Sequence, residues 1–199
     1  MSLKNPLGDL ELTDPRAMRA LAHPVRLAIL EQLQRHGPAT ATRLAPVVGA
    51  TPSVTSWHLR HLADFGLVRD SDAGTDRRQR WWEAAARGFR FEASGDEESR
   101  SAARVLSRQL FRQYEDLPHT WITEVEPLLD AQWRRLGGLA NTRVVLSPAE
   151  LEAVEKAIEQ VLAPYVTRDP SDRPAEGRGV RLMRYVLPEA NADGEAVHT

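Results

Sequence analysis

The chain has 199 residues, enough for one full domain or for a small domain joined to a second element of similar size. With 42% apolar and 27% charged residues it can bury a core and still present a charged surface. It has no run of about 18 apolar residues that could form a membrane-spanning helix. It also has no cysteine, which excludes disulfide scaffolds, thiolate nucleophiles and cysteine-ligated metal sites.

Met1-Ser2-Leu3-Lys4 is not followed by an apolar stretch, so a secretory signal is not expected and a cytoplasmic protein is. The net charge of −2 hides an asymmetry. Residues 1–90 carry 13 basic and 9 acidic side chains, residues 91–199 carry 13 and 19, and between Glu31 and Asp64 there is no carboxylate. A basic half with an acid-free window suggests contact with a polyanion.

In chain order, residues 1–13 read as a loose arm. Asp14-Pro15 is a cap followed by proline at the first helical position, opening a short helix to Ala22. His23-Pro24 breaks it and starts a second helix, in which Val25, Ile29, Leu30 and Leu33 share a face and which Gly37-Pro38 ends. A short third helix is expected over about Ala41–Val48, capped by Thr40 and containing Pro46. Thr51-Pro52 opens a fourth, running to about Phe65 before Gly66. Its inner face would be Thr55, Leu59 and Leu62, and its outer face Ser53, Val54, Ser56, Trp57 and Arg60.

The period then changes. Leu67–Asp70 and Gln79–Glu83 read as a hairpin with Arg77, Arg78 and Arg80 on or beside its tip. After a breaker at residues 93–96, a long amphipathic helix is expected over about Glu97–Asp116, and another over Thr120–Leu136. Ser147-Pro148-Ala149-Glu150 is a capping box that opens a helix to about Val166. Thr142–Leu146 and Val180–Leu187 read as strands forming a two-stranded element, and residues 188–199 as a disordered tail.

Helix, helix, short helix, turn, helix, hairpin within about 70 residues is the order of a helix-turn-helix with a wing. Its second helix would lie in the major groove of double-stranded DNA with its N-terminal residues against base edges. Thr51, Ser53, Ser56 and Arg60 suit that use, and cations at a wing tip suit phosphates. The stretch Ala20-Leu21-Ala22-His23-Pro24-Val25-Arg26-Leu27-Ala28-Ile29-Leu30 resembles the second-helix signature of ArsR-type winged-helix repressors. Ser56-Trp57-His58-Leu59-Arg60-His61-Leu62, followed by Phe65-Gly66-Leu67-Val68, resembles that family's recognition helix and the start of its wing.

The resemblance covers about residues 14–90. It implies a homodimeric transcription regulator, usually a repressor released by a ligand or metal, with Ser53, Val54, Ser56, Trp57 and Arg60 facing bases and His58 at the helix–backbone boundary. Trp57 departs from the pattern, which has a polar or basic residue there; it could touch a thymine methyl or belong to another surface. Pro46, inside the short helix, could kink it. Val145-Leu146-Ser147-Pro148-Ala149-Glu150-Leu151 resembles a segment of such regulators that have a long C-terminal extension.

Other readings compete. His58, His61 and Asp64 share a helical face at ligand-like spacing, but metal ligands there would compete with DNA, so no metal and no cofactor is expected. Of Trp81 and Trp82, one should pack inward and the other could meet the second half. Leu106, Leu110, Phe111 and Tyr114 fit a dimer seam. Phe111, Tyr114, Trp121 and Trp133 fit core packing first and an apolar pocket for an unidentified small-molecule effector second. Glu150, Glu155 and Glu159 read as a solvated face. No nucleophile elbow, Gly-rich phosphate loop or placed carboxylate pair supports an enzyme.

The expectation is therefore a mainly α protein with small β elements. A winged helix-turn-helix domain spans 14–92, and a helical dimerisation or effector part spans 95–187. The chain would act as a homodimeric regulator on double-stranded DNA, without a membrane. A regulator acting mainly through a protein partner or ligand held by the second half is the alternative.

Overall fold

The computed structural model of the chain describes residues 5–73, 79–92 and 95–190. Residues 1–167 form one compact unit and residues 168–199 a second. The fold is mainly α with short strands and contains a winged helix-turn-helix.

The helices begin where local chemistry satisfies their free N–H groups. Helix α1 (Pro15–Leu21) is capped by Asp14, whose carboxylate accepts from the Arg16 N–H at 2.8 Å. Helix α2 (Pro24–His36) is capped by His23, whose Nδ1 accepts from the Val25 N–H at 3.2 Å. Strand β2 (Ala39–Thr40) leads directly into α3 (Ala41–Leu44), and the Thr40 hydroxyl caps it at the Arg43 N–H. Helix α3 is shorter than expected and is not kinked. Pro46 has no N–H to continue the ladder, and the chain turns instead with the Val47 and Val48 N–H groups both on the Leu44 carbonyl.

Helix α4 (Pro52–Asp64) starts at Thr51, whose hydroxyl accepts from the Val54 N–H at 3.3 Å. It ends in a paired-bond cap. Gly66 N–H donates to the Ala63 carbonyl at 2.9 Å and Leu67 N–H to the Leu62 carbonyl at 3.0 Å, with Gly66 at φ 65°. Leu62 and Leu67 are both buried there, so the cap aims the chain from α4 straight into β3 (Val68–Asp70).

Strands β3 and β4 (Trp81–Ala84) pair antiparallel, Arg69 opposite Glu83, as the hairpin reading expects. β4 also pairs with β2, Thr40 opposite Trp81, giving a three-stranded sheet in the order β2-β4-β3. The wing is thereby hydrogen-bonded to the residues that start α3.

The expected loose arm is partly structured. β1 (Asp9–Leu12) pairs parallel with β5 (Gly88–Phe91), and Leu10 and Leu12 enter the core. The alternation of Leu10 and Leu12 with Asp9 and Glu11 is the period-2 signal of this strand. The core joins Leu12, Met18 and Leu21 to Ile29, Leu30 and Leu33, to Leu59 and Leu62, and to Trp82.

Helix α5 (Glu97–Tyr114) is capped by Asp96 and packs on α1. Its Ala102, Ala103 and Leu106 are fully buried in the same core. Leu106 is thus part of this chain's own interior, which corrects its assignment to a dimer seam. The alanines let α5 come close enough to α1 for Leu106 to reach the core.

The helix expected over Thr120–Leu136 is broken. α6 (Leu117–Thr120) runs into a wide turn, Trp121–Val125, then a tight turn, Glu126–Leu128, and α7 (Ala131–Leu136) restarts on an Asp130 cap. Pro127 has no N–H to donate, and Asp130 accepts from the Gln132 and Trp133 N–H groups instead. Helix α8 (Pro148–Val166) has the expected capping box, with Ser147 and Glu150 exchanging bonds.

Neither Thr142–Leu146 nor Val180–Leu187 is a strand, so the expected two-stranded element is absent among the described residues. Neither segment has a ladder partner, and both are largely exposed. Of the expected tail, residues 191–199 lie outside the described residues.

Gly66 tests the joint between α4 and the wing. Gly66→Ala puts a Cβ into left-handed backbone and should lower unfolding stability by about 1–2 kcal/mol, measured as a reduced urea midpoint with an unchanged slope.

Candidate nucleic-acid interface

Helix α4 is buried on one side only. Thr55, His58, Leu59 and Leu62 face the core, where α1, α2 and α3 pack against the helix. The Thr55 hydroxyl is satisfied internally, donating to the Thr51 carbonyl at 2.9 Å. That burial turns Ser53, Val54, Trp57 and Arg60 outward, with Ser56 at the margin. Thr51 is exposed but its hydroxyl is engaged in the cap. The first turn has no acidic residue. The sequence-derived inner and outer faces match this placement, except that His58 joins the inner side at 5% exposure.

His58 brings a ring cluster with it. Its ring lies 4.8 Å from that of His23, the cap of α2, and 4.9 Å edge-on from Trp57. Trp57 in turn stacks on His61, with centroids 5.5 Å apart and planes 3° from parallel, and His61 meets Phe65 edge-on. Burial lowers the pKa of both His23 and His58, and the charge of the neighbouring Arg26 adds to it. Both rings are thereby held neutral, and a neutral His23 is what the cap on α2 needs. The sequence places His23 at the start of this helix; that its imidazole itself forms the cap is shown by the structure. Among the described residues no three His, Asp or Glu side chains converge as a metal site requires.

The wing root is braced by charge and by aromatic faces. Arg80 forms a two-point ion pair with Asp70, Nε to Oδ1 at 2.5 Å and Nη2 to Oδ2 at 2.9 Å, and lies over the Trp82 ring at 4.1 Å. Arg69 pairs with Glu83 at 2.7 Å, and Ser71 donates to the same carboxylate at 2.8 Å. These partners hold the Asp70 and Glu83 carboxyls below the ordinary carboxylate range.

Arg80, expected to grip phosphate, is therefore engaged in bracing the hairpin; Asp70, ten residues before it, was the missed competitor. Arg77 and Arg78 lie outside the described residues. Trp82 fills the core, as one tryptophan was expected to. Trp81 lies under Arg43 of α3, 4.7 Å from guanidinium to ring, rather than against the second half. This cation–π contact is a second tie between the wing and the helix-turn-helix, and Arg43 was not singled out from sequence.

Of the residues expected to form a seam or pocket, four lie on α5 and two in the broken segment that follows it. Leu106 is in the core and Leu110 packs partly on it, while Phe111 is exposed. Trp121 lies over Gly137, in the broken segment that also holds Trp133. A cavity of about 530 Å³ opens elsewhere, beside β1, β5 and the side of α8, with Asp9, Glu11, Arg90, Glu155, Lys156 and Glu159 in its wall. None of the six expected residues lines it. Arg90 bridges Asp9 and Glu159 across it. Glu159 is accordingly buried, which corrects its reading as part of a solvated face.

Residues 21–70 match the family model of a helix-turn-helix domain. That span runs from the end of α1 through β3 and contains α4 with its outward face. No curated protein matches the chain. Among solved structures, it is similar to ZitR of Lactococcus lactis in its apo form, at 17% identity over 72% of this chain and 83% of that one, with a TM-score of 0.32. It is similar to a MarR-family regulator of Neisseria meningitidis at 17% identity, over 71% and 79%, with a TM-score of 0.31. It is also similar to RV1404 of Mycobacterium tuberculosis at 15% identity, over 74% and 82%, with a TM-score of 0.30. The helix-turn-helix match supports a DNA-binding transcription regulator.

The histidine pair has a pH consequence. Above the ordinary value of 6.5 both rings are neutral in the folded and unfolded chain alike. As pH falls below it, the unfolded chain takes up protons that the folded chain resists, so stability declines towards acid. The slope is at most about 1.4 kcal/mol per pH unit for each proton. Urea midpoints taken between pH 7.5 and 5.5 should fall for the native chain and fall less for His58→Phe, which keeps the ring packing and removes one titration.

Proposed function

We propose that this protein is a sequence-specific DNA-binding transcription regulator of the ArsR-type winged-helix kind, acting in the cytoplasm as a homodimeric repressor. The observation that carries the reading is the outward face of α4. Ser53, Val54, Trp57 and Arg60 form an exposed surface with no carboxylate in its first turn, on a helix held by its opposite side in a helix-turn-helix. Ser53, Ser56 and Arg60 supply hydrogen-bonding groups for base edges, and Thr51 closes the N-terminal turn. Arg77 and Arg78 of the wing would neutralise phosphates, with Arg80 holding the hairpin in place. The two sequence motifs at residues 20–30 and 56–68 favour the ArsR-type assignment. The reading is of a binding protein rather than an enzyme.

The homodimer rests on a separate observation. Large apolar side chains stand exposed beyond α5, among them Leu139 at 82% and Val145 at 86%. Large apolar residues left exposed in number commonly mark chain that a partner covers. The same exposure also favours the second reading, a regulator working through a protein partner or an effector bound by the C-terminal half, for which Phe111, Tyr114, Trp121 and Trp133 would be apolar contacts.

Selection from a pool of random duplexes at moderate salt tests both. A dimeric reader should enrich an inverted repeat with half-sites about one helical turn apart. Its affinity should fall steeply with salt, and Arg77→Ala with Arg78→Ala should flatten the log–log slope by about one unit each. Arg60→Ala should relax sequence preference while leaving the slope nearly unchanged. No enrichment and no slope would leave the partner-binding reading in place.

A further inference from the structure

We propose that Val54 and Trp57 form an apolar reading surface that recognises the C5-methyl groups of thymines in the major groove; the proposal rests on the DNA-binding reading above. Val54 and Trp57 are 46% and 53% exposed in the first two turns of α4, the part of a recognition helix that meets base edges. Three residues apart, they are neighbours on one helical face, and Arg60 continues the same row. A large aromatic side chain exposed to water in that place has one apolar target in duplex DNA. Among the four base pairs, the major groove presents a single apolar group, the methyl of thymine.

Trp57 is also held in place before any ligand arrives. Its indole is parallel to the His61 imidazole and edge-on to His58, which is itself buried against His23. A side chain already fixed by its neighbours loses little rotamer freedom on binding, so more of the contact energy appears as affinity. The three residues then divide the work. Arg60 supplies charge and hydrogen bonds, whereas Val54 and Trp57 discriminate for a methyl and against the bare edge of cytosine. The occupant named is thymine; 5-methylcytosine carries the same methyl at the same position of the ring.

The test replaces each thymine of the selected duplex with uracil, one position at a time, which removes only the methyl. The native chain should lose affinity about three- to fivefold at one or two positions in each half-site, as expected for losing one buried methyl. Trp57→Ala should abolish the loss at one position and Val54→Ala at the other, with the salt slope unchanged in both. Trp57→Phe, which keeps an apolar ring, should retain part of the effect and guards against a folding artefact. Sequence-specific binding that is indifferent to uracil everywhere overturns the proposal. So does a Trp57→Ala variant with full uracil sensitivity at every position. Failure to select any duplex overturns the DNA-binding reading itself, and this proposal with it.

Discussion

The one-sided burial of α4 is the constraint on which the rest of the structure depends. Thr55, His58, Leu59 and Leu62 occupy the interior formed with α1, α2 and α3, and fully burying one leucine is worth about 1.5–3 kcal/mol. Rotating the helix to present a different face would expose two leucines that are now fully buried. The orientation of Val54, Trp57 and Arg60 is thus decided by residues that never meet a ligand. The cap at Gly66 extends the same constraint into the wing, because Leu67 is both the end of the cap and the start of the sheet's buried edge.

The wing is tied to the helix-turn-helix at three points of different chemistry. Backbone pairing of β2 with β4 places Thr40 opposite Trp81. Trp82 anchors the sheet in the core, and Arg43 covers Trp81 from α3. The ion pairs Arg69–Glu83 and Arg80–Asp70 then cancel charge at the hairpin root. Exposed pairs of this kind contribute little to stability. Their larger effect is to fix Arg69 and Arg80 at the hairpin root, each on a carboxylate of the sheet.

The ring cluster joins stability to the outward face. His23 caps α2, His58 packs on it from α4, and Trp57 and His61 continue the stack to the surface. One chain of contacts therefore runs from the half-buried cap of α2 past the buried His58 to the exposed indole. The geometry makes Trp57 a fixed feature of the surface rather than a loose side chain.

Much of this was determined by local sequence, because caps, breakers and periodicity act over a few residues. Asp14-Pro15, Thr51-Pro52 and Ser147 with Glu150 start helices where expected, and the apolar spacing within α4 separates its inner and outer faces correctly apart from His58. Only tertiary structure could decide the rest, since it turns on pairings between residues far apart in the chain. Leu106 belongs to the interior because α5 meets α1. Leu10 and Leu12 leave the arm for the core because β5 supplies a strand partner. Thr142–Leu146 and Val180–Leu187 read as strands from their local sequence and meet no ladder partner, so neither becomes a strand. Arg80 is spent on Asp70, and Trp81 on Arg43, because the sheet register brings each pair together. Spacing along a chain shows which side chains share a face; which partner that face meets is settled when the elements pack.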